Sequence, residues 1–232
     1  MKATSKLSKE ERRAAIVKAV RRVFADKGFH GTTTRELAEA AGVSEALLFK
    51  HFPNKEALYS AMLLYCCHAH DPAVEWLEAL EPSTASLVAI VHFLFSRKVN
   101  GRAPKDDDEA IHMRLMFRSL MEDGEFANLQ LRQVSSFWLP KIEDCLRAAH
   151  ARGDTVGRGV LPNLGAWFTH HLAVALMHYL RPANPVVDYQ VPRTKLVEQA
   201  VWFALRGLGV KDQAIQRYYN AKTLSQFFNP LS

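Results

Sequence analysis

Apolar residues recur along this chain at helical rather than strand spacing, and the interruptions have the character of helix ends. Ile16, Val20, Val23 and Phe24 share a helical face behind an S-x-x-E capping box of Ser8 and Glu11. Gly28 follows as a stop, which predicts a first helix over 8–27. Thr33 with Glu36 repeats the box ahead of Leu37, Ala38 and Ala41, and Gly42 closes that second helix after about two turns. Ser44 caps a third, short helix through Phe49; Pro53 and Asn54 break the chain, and Asn54 caps a fourth helix from Lys55 to about His70. Further helices are expected near 73–80, 84–98, 107–121, 125–151, 163–181 and 192–208, with Pro140 kinking or dividing the fourth of these. No stretch alternates convincingly as a half-buried strand does, so the fold class is all-α. The segment from Arg181 to Pro192, with three prolines, reads as a linker, and no internal repeat or low-complexity stretch is present.

The most informative segment is Thr32 to Lys55, TTTRELAEAAGVSEALLFKHFPNK. A capped short helix, a tight Ala41-Gly42-Val43-Ser44 turn and a second short helix make a helix-turn-helix. Leu37, Ala38 and Ala41 face inward, Val43 fills the turn, and Leu47, Leu48 and Phe52 form the packing face of the second helix. Glu45, Ala46, Phe49 and Lys50 are left facing outward, with Glu45–Phe49 as the recognition helix. A plain αα-hairpin shares this pattern, so the pattern alone leaves both readings open. Charge tilts the balance. The chain carries a net +6, but residues 1–60 hold 12 Lys/Arg against 7 Asp/Glu while residues 61–232 hold 18 against 17. Such a concentrated excess suits a phosphate backbone or an anionic surface, or else forms a solubilising tail.

A longer motif narrows the choice. Phe24-x3-Gly28, then Gly31-x-Thr33-Thr34-x2-Leu37-Ala38-x2-Ala41-Gly42-Val43-Ser44, then Leu48-Phe49-x-His51-Phe52-x-Asn54-Lys55-x2-Leu58, resembles the DNA-binding domain of the TetR/AcrR transcriptional regulators over about residues 10–60. Two positions depart from that family: Ala46 stands where Gly or Pro is frequent, and Phe49 stands where Tyr is frequent, which removes one phosphate hydrogen bond. The resemblance implies that Thr33 and Thr34 present a helix N-terminus to a phosphate and that Arg35 reaches backbone or base edge beside them. It also implies that His51 and Lys55 act as phosphate clamps. Ser44 is expected as an N-cap that also meets DNA, Glu45 is placed to accept from a cytosine amino group, and Ala46 and Leu47 offer only apolar contact to thymine methyls. With so few polar groups on the recognition helix, specificity leans on Arg35, Lys50 and DNA shape. Lys2, Lys6 and Lys9 form an N-terminal arm that tracks phosphate or minor groove, or stays solvated.

Residues 61–232 hold no G-x-G-x-x-G, P-loop, H-E-x-x-H or G-x-S-x-G pattern, so no enzyme, cofactor or metal is expected. Cys66 and His70 stand i,i+4, but a single metal finds at most two ligands there. The 163–181 helix is apolar nearly all round. Trp167, His171, Val174 and His178 form one stripe, and Phe168, Leu172, Ala175 and Tyr179 another. The 192–208 helix carries Leu196, Phe203 and the small Ala200, Ala204 and Gly207, which permit close helix approach. The resemblance implies that two such helices from each chain form a four-helix dimer interface, here with Trp167, Val174, His178, Leu196, Ala200, Phe203 and Ala204; completing the monomer core is the competing use. Methionines and aromatics with a few polar points supply material for an apolar effector cavity, with His112, Met116, Trp138, Trp167 and His171 as candidate contacts, although any core uses the same residues.

Composition adds exclusions only. With 48% hydrophobic and 23% charged residues, 11 Gly and 10 Pro, the chain is globular rather than disordered or fibrous. Three cysteines, two of them adjacent, give no disulfide framework and suit the cytoplasm, and the charged N-terminus reads as neither signal peptide nor anchor. The uncharged run Gly159–Leu180 is long enough to raise a membrane span, but Pro162, Asn163 and three histidines interrupt it. The expected protein is therefore all-α, with a three-helix helix-turn-helix domain over 1–54 and a helical effector-binding and dimerisation domain over 55–232, joined by the helix from 55. Its expected function is that of a homodimeric, cytoplasmic transcriptional repressor on a near-palindromic operator, released by a largely apolar or aromatic small molecule. An activator or ligand-independent regulator on the same fold is the alternative, followed by an all-α enzyme or carrier.

Overall fold

Helix α1 (Lys9–Lys27) starts at its capping box: the Ser8 N–H donates to Glu11 and the Glu11 N–H donates to Ser8 Oγ. It stops at Gly28, whose φ of 72° belongs to the left-handed region, and a β-carbon there would also press 2.9 Å from Arg118 and Glu122. The computed structural model describes residues 7–67, 72–100, 107–157, 160–180, 182 and 184–228. Lys2, Lys6 and His70 lie outside them. After α1 come α2 (Thr34–Ala40), α3 (Glu45–His51), α4 (Lys55–Cys67), α5 (Pro72–Ala79), α6 (Thr84–Asn100), α7 (Asp107–Met121) and α8 (Glu125–Gln133). A π-helical turn at Val134–Trp138 leads into α9 (Leu139–Ala151), α10 (Pro162–Leu180), α11 (Arg193–Gly207), α12 (Asp212–Tyr218) and α13 (Ala221–Phe228). Among the described residues the one extended pairing is an isolated bridge between Thr155 and Val210, and no helix is long and apolar enough to cross a membrane.

The expected division of the 125–151 helix is present. Its form is a π turn just upstream of Pro140, which sits in the first turn of α9, where its missing N–H costs no hydrogen bond. Helices α12 and α13 were not anticipated from the sequence.

The helices gather into two compact units: Met1–His70 with Pro104–Arg132, and Asp71–Ala103 with Gln133–Ser232. The first does not coincide with the 1–54 segment delimited by the helix-turn-helix pattern, because Ile111, Leu115 and Phe126 of α7 and α8 are buried in one cluster with Ile16, Val20 and Phe24 of α1 and Leu58 and Met62 of α4. Polar contacts bind the same surfaces: Arg114 donates to Asp26 at 2.5 Å and Arg118 donates to the Asp26 carbonyl at 2.9 Å.

In the second unit α6 is the axis, with α9 to α13 packed around it. Thr84 to Ser96 carries no charge, and Leu87, Val88, Ile90, Val91 and Phe95 are all fully buried. A helix apolar on every side must be enclosed, and five helices do so here. Asp154 fixes the start of α6 by accepting from Thr84 Oγ1 at 2.7 Å, and Arg193 closes its far end by donating to the Val99 carbonyl at 3.0 Å.

Among the described residues of this unit, burial lowers His92, His170 and His178, the first two by a large amount. Burial pushes the His92 imidazole down to about 4, and burial, with Lys98 and His171 nearby, does the same to His170. The unfolded chain takes up protons near pH 6.5 that the folded unit refuses. Stability is therefore expected to fall as pH drops from about 6.5 to about 4 and to lose nothing further from these groups below that. All four tryptophans, Trp76, Trp138, Trp167 and Trp202, lie in this unit, so the urea midpoint by tryptophan fluorescence reads it selectively. H92F/H170F should flatten the midpoint between pH 7 and pH 5; an unchanged slope would assign the loss to other groups.

Candidate nucleic-acid interface

The geometry of α2, turn and α3 follows from four local devices. Thr33 and Glu36 close the capping box of α2: the Thr33 N–H donates to Glu36 at 2.9 Å and the Glu36 N–H to Thr33 Oγ1 at 3.3 Å. Gly42 turns the chain at φ 63°, a conformation open to glycine, while the space around it is free. The Val43 N–H then donates to the Ala38 carbonyl at 3.0 Å, and Ser44 Oγ caps α3 by accepting from the Leu47 N–H at 3.2 Å. Leu37, Ala38, Leu48 and Phe52 are buried, which locks both helices onto α1 and α4 through one cluster. The opposite side carries Thr33, Arg35, Ser44, Glu45, Ala46, Phe49 and Lys50, all exposed, with Thr34, His51 and Lys55 half-buried at the margins. All ten residues expected at a DNA surface thus fall within the helix-turn-helix and its two flanks.

Several are already engaged within the chain. Thr34 Oγ1 donates to Glu45 at 2.8 Å, joining the starts of α2 and α3, and Arg35 pairs with Glu39 at 2.9 Å. These contacts are exposed and cheap to exchange. Lys55 is held more firmly: its ammonium donates to the Thr32 carbonyl at 2.5 Å and lies 4.4 Å from the centre of the Phe29 ring. Lys27 bonds Glu36, and this contact, with the Thr33 N–H and hydroxyl, holds the Glu36 carboxyl down at about 2. The His51 carbonyl accepts from Arg13 at 2.7 Å, while the Arg13 guanidinium stacks 4.2 Å over Phe52. Arg13, Lys27 and Phe29 therefore support the surface, and the sequence pattern did not flag them, since each reaches its partner by tertiary packing rather than helical spacing.

The other residues singled out from sequence divide between the units. His112, with its ring 5.0 Å from Phe126, and Met116 belong to the unit of the helix-turn-helix. Trp138, Trp167 and His171 belong to the second: Trp138 stacks on Phe93 at 5.8 Å, whereas Trp167 stacks on His171 at 5.3 Å. Of the residues expected at a dimer interface, Ala200 and Ala204 are buried in the second unit's own core, Trp167, Val174, His178 and Leu196 are half-buried, and Phe203 is 69% exposed. The small residues of α11 thus serve the fold of this chain, where α11 packs on α6.

Residues 16–62 match the family model described as bacterial regulatory proteins, tetR family. Over those residues, the helix-turn-helix and its flanks, the chain is of the TetR type. It is 38% identical over 96 residues to the HTH-type transcriptional regulator RutR of Escherichia coli, covering 40% of this chain and 44% of that protein. The chain spans less than half the length of the curated relatives it first matches. Two solved structures share the fold over most of both chains. AibR in complex with isovaleryl coenzyme A and operator DNA aligns with a TM-score of 0.56 at 20% identity, over 83% of this chain and 97% of that one. NalD, the secondary repressor of the MexAB-OprM multidrug efflux pump in Pseudomonas aeruginosa, aligns with a TM-score of 0.56 at 22% identity, over 88% and 100%.

Proposed function

We propose that this chain is a TetR-type, sequence-specific transcriptional regulator of the cytoplasm, a homodimeric repressor that leaves a near-palindromic operator when a largely apolar small molecule binds, and that it performs no catalysis. The observation that carries the reading is the outward face of α2 and α3, where Arg35, Ser44, Glu45, Phe49 and Lys50 stand exposed on a frame held by caps, turn and buried core. The basic excess of residues 1–60 supports it, since phosphate contacts dominate affinity. Support for an effector comes from AibR, solved with both an acyl-coenzyme A and operator DNA, and support for repression from NalD. Reciprocity sets the regulatory scale: a molecule that weakens operator binding must itself bind more weakly on the operator, by the same factor, about 1–3 kcal/mol.

Selection of genomic fragments with the purified protein tests the reading and supplies the operator for a second step. Lys55→Ala or His51→Ala should weaken all sequences alike and flatten the salt dependence by about one unit, while Arg35→Ala or Glu45→Ala should change base preference by about 1–3 kcal/mol. No selected sequence, or full affinity in Lys55→Ala together with Arg35→Ala, would overturn it.

A further inference from the structure

The first residues of the two short helices meet on the outer side of the helix-turn-helix. Thr34 opens α2, Glu45 opens α3, and Thr34 Oγ1 donates to Glu45 Oε2 at 2.8 Å. The two stand eleven residues apart, so no capping pattern or helical spacing requires the contact. The frame beneath them does: Gly42 turns the chain, the Val43 N–H returns to the Ala38 carbonyl, and buried Leu37, Ala38 and Leu48 fix α2 against α3. The Thr34 hydroxyl is therefore committed to a carboxylate, where the family resemblance implies a phosphate.

The surface around this contact carries as many carboxylates as cations: Glu39 and Glu45 against Arg35 and Lys50, all exposed. Arg35 donates to Glu39 at 2.9 Å, and among the described residues no cation pairs with Glu45. An anion at this place repels phosphate, so it contributes to binding only where a base edge offers it a hydrogen-bond donor. In the major groove those donors are the amino groups of cytosine and adenine. Adenine sets its N7 acceptor beside the amino group, against the carboxylate, whereas cytosine carries no acceptor on its own major-groove edge. Guanine and thymine present acceptors alone.

We propose that Thr34 is a positioning residue for base readout: its hydroxyl holds one Glu45 oxygen so that the other accepts from a cytosine amino group, which makes one cytosine of the operator a determinant of selection. This rests on the DNA-binding reading above and assigns one element of the sequence it selects. A glutamate side chain fixed before docking loses less conformational entropy on the base than a free one. The contact is weak in water, but a groove that excludes water strengthens a hydroxyl-to-carboxylate bond. The two uses of the hydroxyl are separable. On phosphate it would support every sequence alike; on Glu45 it supports one base over the others.

The test takes the full chain and its variants through selection from a random duplex library, then titrates the wild-type site and its single-base-pair variants by fluorescence anisotropy. Glu45→Gln should exchange one selected cytosine for adenine, whose N6 and N7 a glutamine amide pairs with, by about tenfold. Thr34→Val, matched in shape but without the hydroxyl, should lower discrimination at that same position about threefold and leave affinity for the disfavoured base pairs unchanged. Thr34→Ser should restore it. A Thr34→Val protein that weakens the site and all its variants by one common factor, or that discriminates as the wild type does, would overturn the proposal; so would a site with no cytosine that responds to Glu45→Gln. Circular dichroism checks each fold, and Thr34→Ala stands in should valine disturb α2. Failure of the DNA-binding reading has a different signature: the wild-type chain then selects no sequence, and both fall together.

Discussion

Replacing Phe126 with alanine is expected to destabilise the unit that holds the helix-turn-helix by about 3–5 kcal/mol, although the residue lies far beyond that motif in sequence. Phe126 is fully buried with Phe24 and Ile16 of α1 and Leu37 and Leu48 of the reading helices. Losing a phenylalanine there removes its transfer free energy and leaves a cavity that helices tied by Asp26, Arg114 and Arg118 close only in part. Amide exchange over Ile16–Phe24 should accelerate by about two to four powers of ten, and operator affinity should fall as the unfolded fraction grows. A fragment ending at Cys67 lacks Ile111, Leu115 and Phe126 together and should not melt cooperatively. Full protection in Phe126→Ala, or a cooperative 1–67 fragment, would return the boundary to the vicinity of residue 54.

That boundary shows where sequence reading ran out. The helix-turn-helix was legible because its devices are local: each capping box joins residues three apart, and Gly42 is read by its own φ. The α1–α7 association was not, since its partners stand 88 and 92 residues apart and the mixture of apolar and charged side chains on α7 names no particular neighbour. On α10 apolar residues on nearly every side gave no sign of which stripe faces the core. The structure buries Ala166, Thr169, Ala173 and Leu176, leaving Phe168 and Tyr179 outside. Small residues misled for a related reason: Ala200 and Ala204 permit close approach of any helix, and the helix that approaches is α6. Helices α12 and α13 escaped notice because each is about two turns long and carries too few apolar positions to establish a period.

The exposed stripe carries the second large effect. Leu164, Phe168 and Tyr179 of α10 are 40%, 58% and 46% exposed, and Phe203 of α11 is 69% exposed. In the homodimer proposed above, large side chains left in water at this density on two helices that touch each other would be covered by the second copy of the chain. Under two-fold symmetry every substitution is present twice. Removing the burial of one phenylalanine per chain then costs about 3–6 kcal/mol of dimer stability, from about 1.5–3 kcal/mol each, before a buried charge is counted. Phe203→Glu or Phe168→Glu should therefore raise the dimer dissociation constant by about two to four powers of ten and remove operator binding at ordinary protein concentrations. Ala204→Glu is the poorer test, because Ala204 is 5% exposed against α6 and a glutamate there unfolds the unit before it reports on any interface. Sedimentation equilibrium on folded Phe203→Glu decides the matter: a dimer of wild-type strength, in both phenylalanine variants, would place the interface off α10 and α11 altogether.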